Sequence, residues 1–344
     1  MKLKYFSFLF IGILLLSGCK NSDQSNTKNG EVSIAVFIPG VMAGSAIYEM
    51  LAEGTIKAAE DFTTSNQNRS AKVTVIEGGF NQAEWENQVT TLAAQGNYDL
   101  IVSSNPSLPV IVSAVSKKFA EQKFLLLDGE LEGNPNVYTF RYNQREQAFM
   151  SGYIAALVSL EEGGAAGEKR LGLIAAQEYP VMNNVILPGF AEGAKAVDPD
   201  FNIDFRIVGN WFDAAKAAEI AASMIRGGIK VILPISGGAG IGVVQAAFEA
   251  GAKIVWFDTN GYAIRPGTVV GSAVLRQDRA AYEKVTLFLN DNLPFGKAEI
   301  GGIRDGFIDF IEDDPLYIEA VSQNVRERQA ALISRLRSGE LKLD

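Results

Sequence analysis

The sequence contains no histidine and only one cysteine among its 344 residues. Without histidine, Ser-His and Cys-His nucleophile pairs, imidazole general bases and imidazole metal ligands are all excluded. A single cysteine excludes intrachain disulfides and cysteine-rich zinc or iron–sulfur sites. The formal net charge of −9 argues against a nucleic-acid surface, because phosphate binding needs a basic face. These absences remove most hydrolase, metalloenzyme and nucleic-acid-binding functions.

Apolar residues, by contrast, are abundant enough for a large core: 47% of the chain is hydrophobic and 21% is charged. This balance excludes a disordered chain, and the length favours two domains over one. Short apolar runs alternate with amphipathic helical stretches. The predicted strands lie at 32–38, 72–77, 99–103, 124–127 and 136–140, and then at 170–175, 202–208, 230–234 and 253–257. Two runs of this kind predict two doubly wound α/β domains, each built on a parallel sheet.

The first residues have the pattern of an export signal. Residues 1–18 carry two lysines near their start and then an apolar stretch too short to span a membrane as a stable helix. They end in Leu-Ser-Gly before Cys19, which is similar to the bacterial lipobox, in which Cys19 would be lipidated on sulfur. A plain secretory signal with an incidental cysteine is the alternative. Residues 19–30 are polar and predict a flexible tether, so we expect a lipid-anchored membrane protein facing the periplasm or the cell exterior.

Seven sequence fragments between residues 98 and 258 carry a resemblance to a known family through their order and spacing. They are YDLIV at 98–102, FLLLDG at 124–129, GYIAA at 152–156, GFAEGAKA at 189–196, VGNWFD at 208–213, PISGGAGIGVVQAA at 234–247 and WFD at 256–258. Together they resemble the basic membrane protein family, lipoprotein substrate-binding proteins of ABC transporters that include the purine nucleoside receptors. The likeness extends over residues 32–342.

This resemblance implies the type I periplasmic binding protein fold, with two doubly wound parallel-sheet lobes and a hinge of crossing strands. By analogy the chain would cross near Asn143, Tyr262 and Glu299. The N-terminal lobe would then comprise 31–142 and 263–298, and the C-terminal lobe 143–262 and 299–344.

Ligands of open α/β sheets bind at the carboxyl ends of the strands, so the candidate residues follow strand ends. Trp211 stands where the family carries an aromatic that stacks on the base; its alternative role is to cap the core. Asp258 matches the family's acid that accepts hydrogen bonds from ribose hydroxyls, although a turn or helix N-cap is the alternative. Asn105 and Tyr179, each just past a strand, are further candidates.

A glycine-rich turn at 236–242 follows a predicted strand and opens a helix. It is similar to a dinucleotide-binding fingerprint, but the third glycine comes one residue too early for G-x-G-x-x-G. We therefore expect no cofactor. The N–H groups around Gly237 and Gly238 either contact a ligand or simply form a tight strand–helix turn.

Two positions depart from the purine-binding members. The loop at 39–49 lacks their aspartate and asparagine, and Tyr48 stands at the asparagine position, where it could stack on a ligand or pack beneath the helix. Leu275 stands at the ribose-binding lysine. Arg276 therefore either substitutes for that lysine or is a surface or hinge residue.

The resemblance predicts a non-enzymatic, monomeric receptor that closes its lobes around a small molecule and presents it to an ABC transporter permease. A nucleoside or related heterocycle is the expected ligand, with sugars or other small polar metabolites as the alternative. An enzyme on the same scaffold would need a nucleophile or an acid/base pair, and the sequence offers only unassigned carboxylates. A surface signalling receptor or adhesin without a transport role is the third hypothesis.

Overall fold

The computed structural model describes residues 30–163 and 169–343. The predicted signal peptide, Cys19 and all of the predicted tether except Gly30 lie outside the described residues. Within the described ranges, no helix combines the length and the apolar character needed to cross a membrane.

Twelve strands and ten α-helices alternate along the described chain. The strands are β1 (Gly30–Ile38), β2 (Arg69–Glu77), β3 (Leu100–Ser104), β4 (Lys123–Leu127), β5 (Val137–Tyr142), β6 (Arg170–Ala175), β7 (Asn202–Ile207), β8 (Val231–Ile235), β9 (Lys253–Asp258), β10 (Val269–Leu275), β11 (Ala298–Gly301) and β12 (Ile308–Phe310). The helices are α1 (Ala46–Ser65), α2 (Trp85–Gln95), α3 (Leu108–Lys118), α4 (Gln144–Glu161), α5 (Leu187–Val197), α6 (Ala214–Arg226), α7 (Gly240–Ala250), α8 (Gln277–Leu289), α9 (Pro315–Ala320) and α10 (Gln323–Ser338). All nine predicted strands are present, with ends within three residues of the prediction.

The strands form two six-stranded sheets, one in each lobe. The first has the order β11-β5-β4-β3-β1-β2 and is parallel throughout. The second has the order β12-β10-β9-β8-β6-β7 and is parallel except for the antiparallel pair of β10 and β12. Central strands such as β3 and β8 are buried along their whole length, because helices cover both faces of each sheet. The α/β fold class inferred from the sequence is thereby confirmed.

The second lobe depends on a close crossing of α4 and α5. Gly152 on α4 lies against the carbonyl of Phe190, and Gly193 on α5 lies against the carbonyl of Phe149. A Cβ at either glycine would collide with the backbone of the other helix. The two glycine-containing fragments of the sequence, GYIAA and GFAEGAKA, are therefore complementary halves of one helix–helix contact.

The chain passes between the lobes three times. The first crossing follows β5 at Asn143. The second does not lie near Tyr262: the fully buried strand β10 pairs with β9 in the second sheet, so the chain leaves that lobe only after Leu275. A strand buried along its whole length needs a neighbour on each edge, and β9 and β12 provide them. The third crossing follows Gly301, the last residue of β11.

The three crossings lie side by side and hydrogen-bond to one another. The amide of Asn143 donates to the carbonyl of Gly301 over 2.9 Å, and the amide of Arg276 donates to the carbonyl of Phe307 over 2.9 Å. A hinge of this kind lets two rigid lobes rotate by changing a few backbone dihedral angles.

Candidate functional site

The second lobe brings four of the predicted site residues to one edge of its sheet. Tyr179 follows β6, Trp211 follows β7, Gly237 follows β8, and Asp258 is the last residue of β9. These four strands are parallel neighbours, so their carboxyl ends meet at the same edge. The rings of Tyr179 and Trp211 lie there with their centroids 6.3 Å apart. This edge presents two aromatic side chains beside a carboxylate.

The glycine-rich turn holds Trp211 in place. The amide of Ala239 donates to the carbonyl of Trp211 over 3.1 Å. Gly237 has a φ of +56°, and a Cβ there would lie 3.2 Å from the indole ring, while one on Gly238 would lie 3.6 Å from the Trp211 carbonyl. Trp211 itself is partly exposed and does not belong to the apolar core described for this lobe. Its ring is therefore available to a ligand, and the two exposed glycines form the turn on which it rests.

Asp258 neither caps a helix nor closes a turn with its side chain. It adopts a φ of +73°, and its carboxylate accepts a hydrogen bond from Nε2 of Gln147 over 3.1 Å. Gln147 lies on α4 and is fully buried, and its Nε2 also donates to the carbonyl of Ala273. Burial raises the pKa of Asp258 to about 6, since the charged form loses water there, and the hydrogen bond from Gln147 opposes that shift.

The first lobe contributes a second group of side chains. Tyr48 lies in the first turn of α1 and Asn105 follows β3. The Tyr48 hydroxyl donates to the carbonyl of Pro39 over 3.0 Å and accepts a hydrogen bond from Nδ2 of Asn105 over 3.4 Å. Burial raises the pKa of Tyr48 to about 12. Both predicted candidates are partly exposed, and each fixes the position of the other.

Asp128 joins this group, although the sequence analysis did not single it out. It follows β4 directly with a φ of +54°. Burial and the charge of Asp258 raise its pKa to about 8. The charge of Asp128 also acts on Tyr48 in its own lobe and on Tyr179 in the other. Asp128 therefore lies where the two lobes face each other across the cleft. One signal was present: like Asp258, it is an aspartate that ends a buried apolar strand.

Arg276 does not join the cleft group through any contact of its side chain. It is exposed and forms an ion pair with Asp278, with 3.1 Å between Nη2 and Oδ2. Its backbone belongs to the second crossing. This position agrees with the hinge alternative, and the role of Arg276 toward a ligand stays a prediction.

Other parts of the described chain contain surface grooves but none of the strand-end candidates. Within residues 30–163 and 169–343, no three carboxylate or cysteine side chains come together as potential metal ligands. One surface groove lies beside α10, where Arg328 and Leu332 line it, and another lies between α1 and α8, where Lys57 and Tyr282 line it. Neither groove contains a strand-end residue of either sheet, so the interlobe cleft is the candidate site.

Two α/β lobes, three crossing segments and strand-end side chains that face one cleft define a solute-binding protein of the type I periplasmic binding fold. The chain belongs to the family described as "ABC transporter substrate-binding protein PnrA-like", which it matches over residues 31–342. Membership in this family implies a small-molecule ligand, a membrane permease as partner and a site of action outside the cytoplasm.

Individual relatives agree with this assignment. The "ABC transporter nucleoside-binding protein BmpA" of Lactococcus lactis subsp. cremoris (strain MG1363) is 26% identical over 247 residues, a match that covers 68% of this chain and 64% of that protein, just under two thirds of its length. "Basic membrane protein D" of Borreliella burgdorferi (strain JD1) is 22% identical over 334 residues, with 94% of this chain and 92% of that protein covered. Among solved structures, an ABC transporter solute-binding protein from Aeropyrum pernix K1 superposes with a TM-score of 0.75 at 21% identity, covering 91% of this chain and 93% of that one.

Proposed function

We propose that this protein captures a nucleoside or related heterocycle between its lobes and delivers it to an ABC transporter permease without altering it chemically. Closure of the hinge would complete the site, because each lobe alone carries only part of it. A ligand that contacts both lobes favours the closed state by the difference between its affinities for the closed and open forms.

The observation that carries this proposal is that aromatic rings of the second lobe lie in the same cleft as one carboxylate from each lobe. The partly exposed rings of Trp211 and Tyr179 offer flat faces on which a heterocycle stacks. Asp258 already accepts a hydrogen bond from Gln147, and the carboxylates of Asp128 and Asp258 would accept further ones from the N–H groups of a base and the hydroxyls of a ribose. The name of the Lactococcus lactis relative supports a nucleoside in particular.

The absence of turnover is part of the proposal. Among the hydrogen bonds of the described residues, none joins a serine or cysteine to Asp128 or Asp258. The interactions of these two carboxylates are with tyrosines, an amide and each other. We expect a bound nucleoside to be recovered unchanged.

The proposal is tested on the chain beginning at Lys20, unfolded and refolded to remove any carried-over ligand. Adenosine, guanosine, inosine and a few sugars would be titrated by tryptophan fluorescence and by calorimetry. Stacking on an aromatic ring contributes roughly 1–3 kcal/mol per base. Trp211→Ala should therefore weaken nucleoside binding about tenfold or more with little loss of stability.

Phe248→Ala is the matched control, since Phe248 is an exposed aromatic on α7 that stacks against Arg265. Equal affinity of wild type and Trp211→Ala would remove the indole from the site. Saturable binding of a sugar, with nucleosides silent and the fold intact, would replace the nucleoside by the sugar alternative.

We also propose that Cys19 carries a lipid that tethers the protein to the membrane. The lipobox-like end of the signal segment supports this, and residues 19–30 would supply the tether. In cells, Cys19→Ser should move the protein from the membrane to the soluble fraction, and the mass of the wild-type N-terminal peptide should include acyl chains. A wild-type peptide with an unmodified cysteine would show a plain secretory signal instead.

A further inference from the structure

The cleft contains two carboxylates that approach each other from different lobes. Asp128 directly follows β4 of the first sheet, and Asp258 is the last residue of β9 of the second. Each retains some exposed surface, as expected of a group that lines a cleft. Both are within electrostatic reach of Tyr142 at the first crossing and of Tyr179 in the second lobe. Closing the lobes therefore brings two acidic groups into one confined volume.

No basic side chain offsets this pair. Among the ion pairs of the residues that the structure describes, none includes Asp128 or Asp258. The basic residues on neighbouring elements have other partners: Arg141 on β5 pairs with Glu130, Arg145 on α4 pairs with Glu192, and Arg276 after β10 pairs with Asp278. Leu275, which ends β10, is apolar and buried.

The groups that face the carboxylates are neutral. Asp128 is faced by Tyr48 from α1, Tyr142 from β5 and Tyr179 from the second lobe, and Asp258 is faced by Gln147 from α4. Burial holds the pKa of each tyrosine above its ordinary value, so none is charged near neutral pH. The two aspartates are therefore the source of charge among these groups.

Gln147 adds an independent observation: beside Asp258 it carries a buried acceptor that no donor in the described chain satisfies. Its side chain is 0% exposed, and Nε2 already donates to Asp258 and to the carbonyl of Ala273. The second half of the amide, Oε1, has no hydrogen-bond partner. A buried acceptor without a donor is costly, and this one belongs to the amide that holds Asp258.

We propose that the ligand of this cleft is a cationic heterocycle, whose positive charge is shared by Asp128 and Asp258 and whose ring lies against Trp211 and Tyr179. This inference rests on the proposed function and names the chemical class of its ligand. Aromatic faces beside carboxylates suit such a ligand, because the ring faces attract cations and the carboxylates supply the countercharge.

A proton can occupy the pair when the ligand is absent. The pKa values of about 8 for Asp128 and about 6 for Asp258 mean that the pair binds a proton near neutral pH. A cation displaces that proton, whereas a neutral ligand leaves it in place. The affinity for a cation therefore rises with pH between about 6 and 8, by up to about tenfold per pH unit for each proton released.

Two isomers test this directly. 1-Methyladenosine is protonated and therefore a cation at neutral pH, whereas N6-methyladenosine, which carries the same methyl group on another nitrogen, has one proton fewer and is neutral. Calorimetry on the refolded chain should give at least tenfold tighter binding of the cation, with an affinity that increases from about pH 6 to about pH 8. Asp128→Asn should abolish both the preference for the cation and the pH dependence, so that the two isomers bind with similar affinity.

Asp291→Asn is the matched control, because Asp291 also has a positive φ of 58° but is exposed on the turn after α8. Its preference for the cation and its pH dependence should match those of the wild type.

Tighter binding of the neutral isomer, with no pH dependence and no loss in Asp128→Asn, would overturn the proposal while leaving the nucleoside-receptor function in place. If neither isomer binds, the nucleoside assignment fails, and mass analysis of the molecule retained by natively purified protein decides the charge. A retained cation supports the inference, and a neutral or anionic molecule overturns it.

Discussion

Phe80 and Phe212 touch although they belong to different lobes: their ring centroids lie 4.7 Å apart with an angle of 59° between the planes. Phe80 follows β2 and Phe212 follows β7, and these are the edge strands of their sheets. Both rings are largely exposed, at 60% and 49%. A contact between two exposed aromatic rings across the cleft exists only while the lobes are closed, so it stabilises the closed state.

Removing either ring should therefore favour opening. An aromatic pair contributes about 0.5–1.5 kcal/mol beyond the area it buries. Phe80→Ala and Phe212→Ala should each weaken ligand binding by roughly two- to tenfold, mainly through faster dissociation, which stopped-flow fluorescence measures. In a double-mutant cycle the two effects should not add. Phe248→Ala, with the same 49% exposure as Phe212, should bind like the wild type. Additive effects of Phe80→Ala and Phe212→Ala would show that the rings do not act as a pair.

Gly237 should resist substitution for two separable reasons. Its φ of +56° strains any residue with a Cβ, and that Cβ would lie 3.2 Å from the indole of Trp211. Gly251 has a similar φ of +71° but open space around it, so Gly251→Ala measures the backbone strain alone, about 1–2 kcal/mol. Gly237→Ala should cost more stability than Gly251→Ala in thermal unfolding and should also weaken ligand binding. Equal costs and unchanged binding would show that the turn does not position the indole.

The stability of the closed protein should fall as pH rises. The folded pKa of Asp128 is raised from 3.8 to about 8, so the folded state holds a proton that the unfolded chain releases at lower pH. Its contribution to stability is fully present below about pH 4 and is lost progressively up to about pH 8. Asp128→Asn should remove much of this slope and unfold at a higher temperature than the wild type at about pH 8. Parallel unfolding curves for wild type and variant across this range would contradict a buried, protonated Asp128.

Arg276 should contribute little to ligand affinity. Its ion pair with Asp278 is exposed, and such pairs contribute about 0–1 kcal/mol. Arg276→Ala should bind ligand within about twofold of the wild type, as should Arg335→Ala, whose side chain is similarly exposed and pairs with Glu340. A tenfold loss confined to Arg276→Ala would show that this guanidinium reaches the ligand after all.

Sequence patterns were informative where local periodicity was strong and less so near the hinge. Central strands such as β3 and β8 are nearly continuous apolar runs, and a run that is buried on both faces is recognisable without its neighbours. The strands β11 and β12 have four and three residues, too few to show a period. The domain bounds predicted from the sequence assign β10 to the first lobe, whereas it belongs to the second sheet. Its apolar residues indicate that the strand is buried, but they do not indicate which sheet it joins.

In the candidate site, too, some features were predictable from local sequence and others depend on the tertiary structure. The strand-end positions of Trp211 and Asp258 were predictable from residue type and place in the pattern. That Asn105 hydrogen-bonds Tyr48, or that Gln147 on a hinge-proximal helix holds Asp258, depends on side chains far apart in the chain.

The amino-acid sequence by itself determined the alternation of strands and helices, the absence of histidine chemistry and the family to which the chain belongs. These properties depend on composition and on periodic or ordered local patterns. Only the tertiary structure decided that Asp128 and Asp258 face one cleft without a basic partner and that Arg276 pairs elsewhere. The pairing of charges depends on distances between residues of separate lobes. Those distances are set by the packing of the whole chain and cannot be read from local sequence.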